Sequence, residues 1–183
     1  MTVIIMLLRS KKALSITYHR ILLVLSIIDI FVSLGFVAGC FPTGNQFTCE
    51  IQGAFIFGST AQPLCYCSPQ LYYLLAIKYG MKPEDVRTRV EPFLLSFPVI
   101  YASIGSAVCA FTQSINRTDS LCYIALGPPG CDEDQDECNR GKNIILFQLL
   151  FGAIPIVTSC ITMSVTMGMI YYASRSKEML QIG

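Results

Sequence analysis

The chain has 183 residues, of which 53% are hydrophobic and 14% are charged, and its formal net charge is +1. Soluble domains carry about 25% charged residues, so this composition argues against a water-soluble domain. The charges are divided between segments rather than gathered into a basic patch, which argues against nucleic-acid binding. The sequence contains no catalytic triad, metal-ligand cluster or phosphate-binding loop. We therefore expect no enzymatic activity, no metal and no cofactor.

The N-terminal residues 1–8 are apolar but too short to cross a membrane, because they rise only about 12 Å as a helix. Basic residues follow this segment and no signal-peptide cleavage site comes after it. We interpret it as a stub, the inner end of a helix whose start is missing.

Four longer apolar stretches follow the stub. They lie at residues 21–41, 51–77, 93–111 and 144–172. A helix of about 20 apolar residues crosses a bilayer core of about 30 Å. The sequence therefore predicts an all-α, polytopic transmembrane bundle of four full spans, which forms one membrane domain over residues 1–183.

The basic residues alternate between the loops that join these spans. Ten of the 13 Lys and Arg residues fall in one set of segments. These ten are Arg9, Lys11, Lys12, Arg20, Lys78, Lys82, Arg87, Arg89, Arg175 and Lys177. Cytoplasmic loops of membrane proteins are rich in Lys and Arg. The pattern predicts that residues 78–92 are cytoplasmic and residues 112–143 extracellular, in a protein of the plasma membrane.

Asp29 is the only acidic residue within a predicted span. An acid at mid-bilayer costs about 2.5 to 3.5 kcal/mol, so such residues usually face the bundle interior and serve a function. The alternative is a helix-packing hydrogen bond with no switching role. The second span also carries several Gln, Ser, Thr and Pro residues, which predicts a central helix packed on several neighbours. In the fourth span, Pro155 predicts a helix kink.

The predicted outer side carries five of the nine cysteines. They are Cys40, Cys49, Cys122, Cys131 and Cys138. That side is oxidising, so disulfides are expected there, but the spacing leaves their connectivity open. Cys131 and Cys138 bracket an acidic run and form one possible pair. Asn116 begins an N-glycosylation sequon on the same side.

Residues 25–29 read LSIID, which is similar to the second-helix Leu-Ala-x-x-Asp motif of rhodopsin-like G-protein-coupled receptors. Taken with the cysteines, Pro155 and the topology, the chain resembles this receptor superfamily from the end of helix one to helix five. The inner end of the second span departs from the rhodopsin-like pattern, since no Asp-Arg-Tyr motif follows it. Residues 71–78 read LYYLLAIK and residues 82–85 read KPED, which instead resembles the slime-mould cAMP-receptor-like group.

The resemblance implies a partial seven-helix bundle that senses an extracellular ligand and signals to a heterotrimeric G protein. It implies a disulfide between Cys49 and Cys122, and Asp29 as the buried switch carboxylate. By the family pattern three residues of the second span would face the ligand, namely Gln52, Ile56 and Thr60. The cytoplasmic residues near the G protein would be Lys78, Lys82, Arg87 and Arg89. The resemblance does not imply that cAMP is the ligand, because the sequence has no outward-facing cluster of basic residues to hold a phosphate.

Two other functions stay compatible with the sequence. A transporter or channel fragment would also place an acid inside a span, although the inverted repeat or discontinuous helices of such proteins are not evident. A four-span membrane scaffold with a disulfide-stapled outer loop would explain the cysteines.

Overall fold

The fold is seen in a computed structural model that describes residues 16–39, 45–118, 121–128, 131 and 138–182. The predicted N-terminal stub, Cys40 and the acidic run 132–137 lie outside the described residues. Four long helices form most of the structure. They are α1, Thr17–Gly39; α2, Gln46–Ile77; α3, Pro83–Phe111; and α4, which comprises Ile144–Gln148, a π-helical turn Leu149–Ala153 and Ile154–Ile182.

Three helices of the described chain are long and apolar enough to cross a membrane. The segments that meet this condition are Thr17–Val37, Pro83–Phe111 and Ile144–Arg175. The helical membrane bundle expected from the sequence is thus supported. The 32-residue helix α2 is long enough to span, but it is not among the three. Its Gln, Ser and Thr side chains lower its hydropathy.

Helix α2 occupies the centre of the bundle, because it packs against α1, α3 and α4. Its N-terminus is capped by Asn45, whose side chain accepts a hydrogen bond from the Phe47 N–H at 3.2 Å. The expectation of a central helix with several neighbours is confirmed. Such a position lets polar side chains find partners on other helices instead of facing lipid.

Two boundaries differ from the sequence prediction. Residues 78–92 were predicted to be a loop, but α3 already begins at Pro83 and passes through a π-helical turn, Val86–Val90. A proline in the first turn followed by Glu84 and Asp85 favours a helix start, whereas the loop was delimited by charge alone. The fourth helix likewise continues to Ile182, beyond the predicted end at residue 172.

A short hairpin covers one end of the bundle. Strand β1, Ile115–Arg117, pairs antiparallel with β2, Cys122–Ile124, so that Ile115 lies opposite Ile124. The hairpin contributes to the principal core cluster of buried residues. That cluster contains Cys49, Phe57, Cys109, Ile115, Cys122, Ile124, Phe147 and Phe151. We call this the disulfide end, and the opposite end, with Arg20, Lys78, Lys82, Arg87, Arg89 and Arg175, the basic end.

Gly53 permits the close approach of the hairpin to α2. A Cβ atom at this position would lie 2.4 Å from Cγ2 of Ile115, whereas a Cβ at Gly168 would meet nothing within 4 Å. Ile115 is fully buried and β-branched, so its side chain has little room to yield.

We expect Gly53→Ala to lower the free energy of unfolding by about 1 to 3 kcal/mol, because it overpacks this contact. The matched change Gly168→Ala should be neutral or should stabilise its helix by up to about 1 kcal/mol. Thermal unfolding of the purified chain in detergent measures both. Equal stability of the two variants would contradict the packing of the hairpin on α2.

Candidate functional site

The principal polar contact inside the bundle joins Asp29 of α1 to Gln62 of α2. Nε2 of Gln62 donates to Oδ1 of Asp29 at 2.6 Å, and both side chains are half-buried. Asp29 lies 12 residues after Thr17, or about 18 Å along α1, which is near the middle of a bilayer core. The predicted intramembrane acid therefore faces the central helix. The sequence identifies Asp29 as an acid within a span, but it does not distinguish its partner Gln62 from the other polar residues of α2.

The three residues expected to face a ligand make contacts with α1 and with their own helix. Gln52 donates from Nε2 to the backbone oxygen of Gly35 at 3.3 Å, and Ile56 packs beside the same glycine. Thr60 donates to the backbone oxygen of Phe57 at 2.8 Å. Ile56 and Thr60 are buried. Gln52 and Ile56 thus contact α1 beside Gly35, and the assignment of the three residues to a ligand-facing wall stays a prediction.

The disulfide end is held by a covalent bond and by hydrogen bonds. Cys49 of α2 is bonded to Cys122 of β2, as the resemblance implied, with 5.3 Å between their Cα atoms. Gln46 donates to the backbone oxygen of Ile115 at 3.0 Å, and Gln148 donates to that of Ile124 at 3.2 Å. The hairpin is thereby attached to the starts of both α2 and α4.

The outer segment after the hairpin has its own constraints. Cys131 and Cys138 form the second disulfide, so the possible pair named from the sequence is present. Arg140 pairs with Glu50 of α2 at 3.1 Å. Tyr123 stacks against Phe57 with 5.7 Å between ring centroids, and its burial raises the pKa of the phenol. This end is therefore a compact cap.

The Asn116 side chain, predicted as a glycosylation site, is part of that cap. It is 2% exposed, and its Nδ2 donates to the backbone oxygens of Gln113 at 3.0 Å and Ala125 at 2.7 Å. A glycan is attached at this same nitrogen and would replace one of its two N–H donors, which removes one of these bonds. A sequence motif does not report the burial of its asparagine, so glycosylation at Asn116 stays a prediction that this burial disfavours.

A second polar cluster, not predicted from the sequence, lies at the basic end. Arg20 of α1 forms a two-point ion pair with Glu91 of α3 through Nε and Nη2. The buried hydroxyl of Thr17 donates to Oε2 of Glu91 at 2.8 Å and accepts from Nη2 of Arg20 at 3.1 Å. This cluster ties the basic ends of α1 and α3 together. No local pattern in the sequence indicates this pair, because 71 positions separate its two members.

The four residues expected near a G protein lie around the junction of α2 and α3. Lys78, Lys82, Arg87 and Arg89 are all exposed. Nζ of Lys78 also lies 3.3 Å from the sulfur of Met169 in α4. The basic end therefore presents a positively charged surface. Its charges lie between α2 and α3 and in α3, and α4 contacts it through Met169.

Pro155 lies two residues after the end of the π-helical turn of α4, at Ala153. Such a turn and a proline both interrupt regular helical hydrogen bonding, and π-helical turns often occur at functional sites. The predicted irregularity is therefore located in the outer half of α4. Among the residues that the structure describes, no group of three or more His, Cys, Asp or Glu side chains is placed to hold a metal ion.

Comparisons with protein-family models, with curated proteins and with solved structures find no match to this chain.

We expect glycosidase treatment of the protein made in eukaryotic cells to leave its electrophoretic mobility unchanged. We also expect Asn116→Gln to lower the free energy of unfolding by about 1 to 3 kcal/mol, since buried hydrogen bonds are lost. The exposed Asn139 provides the control variant Asn139→Gln, which should be neutral. A glycosidase-sensitive shift that disappears in Asn116→Gln would contradict the buried position of this side chain.

For the basic end, we expect Glu91→Ala to lower the free energy of unfolding by about 1 to 3 kcal/mol. The loss should stay below that of a fully buried pair, because the Arg20 side chain is 20% exposed and can reach water. Glu84→Ala removes an exposed carboxylate from the same region and should have little effect. Thermal unfolding in detergent compares them, and an equal effect of both substitutions would show that the ion pair contributes nothing.

Proposed function

We propose that this chain belongs to a G-protein-coupled receptor of the plasma membrane, and that α1 to α4 are four membrane spans of its bundle. The disulfide end would face the extracellular side and bind a ligand there. The basic end would face the cytoplasm and contact a heterotrimeric G protein. The alternation of basic residues, the two disulfides and the apolar helices support this orientation.

The observation that carries the proposal is the hydrogen bond between Asp29 and Gln62. Ionisable residues inside membrane helices are costly, and they persist where they pair within a bundle and serve a function. This pair connects α1 to the central helix at mid-depth. A small displacement of α2 relative to α1 would change or break the bond, so the contact can distinguish two arrangements of the bundle.

Helix α2 provides the connection between the two ends. It carries Cys49 near its start and ends at Ile77, next to the exposed Lys78. A ligand that contacts the hairpin would therefore act on the same helix that leads into the basic surface. Such a ligand shifts the bundle only if it binds one arrangement better than the other.

The basic surface supplies the complementary cytoplasmic contact. Lys78, Lys82, Arg87 and Arg89 would attract acidic residues of the G protein, and exposed charges of this kind mainly raise the rate of association. A positive cytoplasmic surface is also expected from membrane topology alone. The surface thus supports the orientation more strongly than it supports any individual contact.

The test is Asp29→Asn in the full natural chain, expressed in cells. Asparagine keeps the shape and the oxygen that accepts from Gln62 but removes the titratable carboxyl. We expect the ratio of G-protein nucleotide exchange to surface expression to change by about fivefold or more, the lower range of allosteric coupling. Surface expression itself should stay within about twofold.

Two further variants make the test specific. Gln62→Leu removes the partner and should change the same ratio, and the double variant should be non-additive because the two side chains are in contact. Ser33→Ala, one helical turn from Asp29, removes a bond to the Asp29 backbone oxygen and serves as the control. Equal loss of exchange and expression in Asp29→Asn would assign Asp29 to packing. Absence of any exchange with the unaltered chain would favour a scaffold or a transporter.

A further inference from the structure

A cavity of about 420 Å³ lies between α2, α3 and α4. On α2 it is lined by Leu64, Ser68 and Leu71, which follow one helical face below Gln62. None of the residues expected to face a ligand lines it, and neither do Asp29 and Gln62. Its volume falls within the range of about 300 to 1,000 Å³ that is typical of small-molecule sites. The cavity is therefore separate from the site of the proposed signal.

The cavity opens sideways, away from the bundle axis. Three of the apolar side chains on its lining are strongly exposed, namely Phe93 at 62%, Phe97 at 44% and Ile154 at 46%. In a membrane these side chains meet lipid tails. A guest would thus enter from the bilayer and not from the water at either end.

No charged residue lines the cavity, which excludes a charged guest. Most of its polar side chains already have partners. Ser68 donates to the backbone oxygen of Leu94 at 3.1 Å, Thr158 donates to that of Ile154 at 2.7 Å, and Tyr101 donates to that of Leu150. The bonds of Ser68 and Tyr101 connect neighbouring helices, whereas that of Thr158 lies within α4.

The hydroxyl of Ser159 differs from them. Ser159 lines the cavity and is 2% exposed, and among the residues that the structure describes its hydroxyl makes no well-directed hydrogen bond and adjoins only the thiol of Cys67, which is a weak acceptor. The hydroxyl does not donate to the backbone oxygen of Pro155, four residues before, which is the acceptor that a helical serine usually uses.

The depth of Ser159 in the membrane restricts which chemical groups of a guest can reach its hydroxyl. It lies midway along the apolar segment Ile144–Arg175, about 22 Å from Ile144. Lipid headgroups are therefore out of its reach. A guest atom that forms a hydrogen bond with the Ser159 hydroxyl must therefore belong to an uncharged group located at mid-bilayer.

We propose that the cavity between α2, α3 and α4 binds an uncharged lipophilic molecule that enters from the bilayer and carries one hydroxyl or carbonyl group, which hydrogen-bonds to Ser159. The apolar body of this molecule contacts the leucines of α2 and the phenylalanines of α3. The site stands independently of the receptor function, since it needs no G protein and no extracellular ligand.

The test uses two photoreactive probes on the full natural chain in phosphatidylcholine vesicles. One is a long-chain alcohol with its hydroxyl at mid-chain, a diazirine and an alkyne, and the other is the matching hydrocarbon without the hydroxyl. We expect saturable labelling by the alcohol probe at peptides that contain Leu64, Leu71 or Pro155, mapped by mass spectrometry, and competition by the unlabelled alcohol.

Three variants test whether the probe binds in the cavity and whether Ser159 hydrogen-bonds to it. Leu64→Trp fills the cavity and should abolish this labelling, whereas Ile161→Trp, at a position of α4 that is 59% exposed and outside the cavity lining, should not. Ser159→Ala should reduce labelling by the alcohol probe about threefold, the value of one hydrogen bond within a membrane, and leave the hydrocarbon probe unchanged. It should leave the melting temperature nearly unchanged, because the hydroxyl has no partner stronger than the Cys67 thiol to lose.

Several results would overturn the proposal. Labelling that never saturates and spreads along all lipid-facing positions would mean ordinary bilayer contact. Labelling that is insensitive to Leu64→Trp would place the probe elsewhere. Equal affinity of the two probes would remove the role of Ser159. None of these results depends on G-protein signalling, so they leave the proposed receptor function untouched.

Discussion

The structure depends on how the polar side chains of α2 are satisfied inside an apolar surrounding. In a bilayer, a polar group without a partner costs several kcal/mol, so a helix with many such groups must be enclosed by others. Gln62 finds Asp29 on α1, and Ser68 finds a backbone oxygen on α3. The Cys67 thiol lies 3.7 Å from the backbone oxygen of Ser159 on α4. Each of the three surrounding helices therefore supplies a partner to α2, and this requirement fixes α2 at the centre.

This constraint also explains how far the sequence could predict the fold. Hydropathy located all four helices, because the length of an apolar run is a local property. It misjudged the start of α3 at Pro83, since the first turns of that helix are polar. The composition of α2 predicted a central helix, because polarity in an apolar protein requires neighbours. It did not say which neighbour each residue would meet.

In the candidate sites, too, local sequence identifies unusual residues but does not identify partners that are distant in the chain. Asp29 stands out as an acid in an apolar run, whereas its partner Gln62 is 33 residues away and resembles other polar residues of α2. Glu91 and Arg20 sit at predicted helix boundaries, where charge is ordinary, and nothing local indicates that they pair. Helical periodicity groups Gln52, Ile56 and Thr60 on one face of α2, but it could not show that Gln52 and Ile56 contact α1 beside Gly35. The sequon likewise does not report that Asn116 is buried in the hairpin.

The two halves of α2 are constrained differently, and this difference bears on how a movement would pass through the bundle. The outer half is bonded covalently to the hairpin through Cys49 and carries Phe57 of the buried cluster. The inner half lines the cavity at Leu64, Ser68 and Leu71, so part of its surface lacks close packing. Gln62 lies between the two halves. A force on the hairpin would move the outer half together with its cap, and the inner half has free volume in which to respond. Packed interfaces change between discrete arrangements, and the Asp29–Gln62 contact lies where the two differently constrained halves of α2 meet.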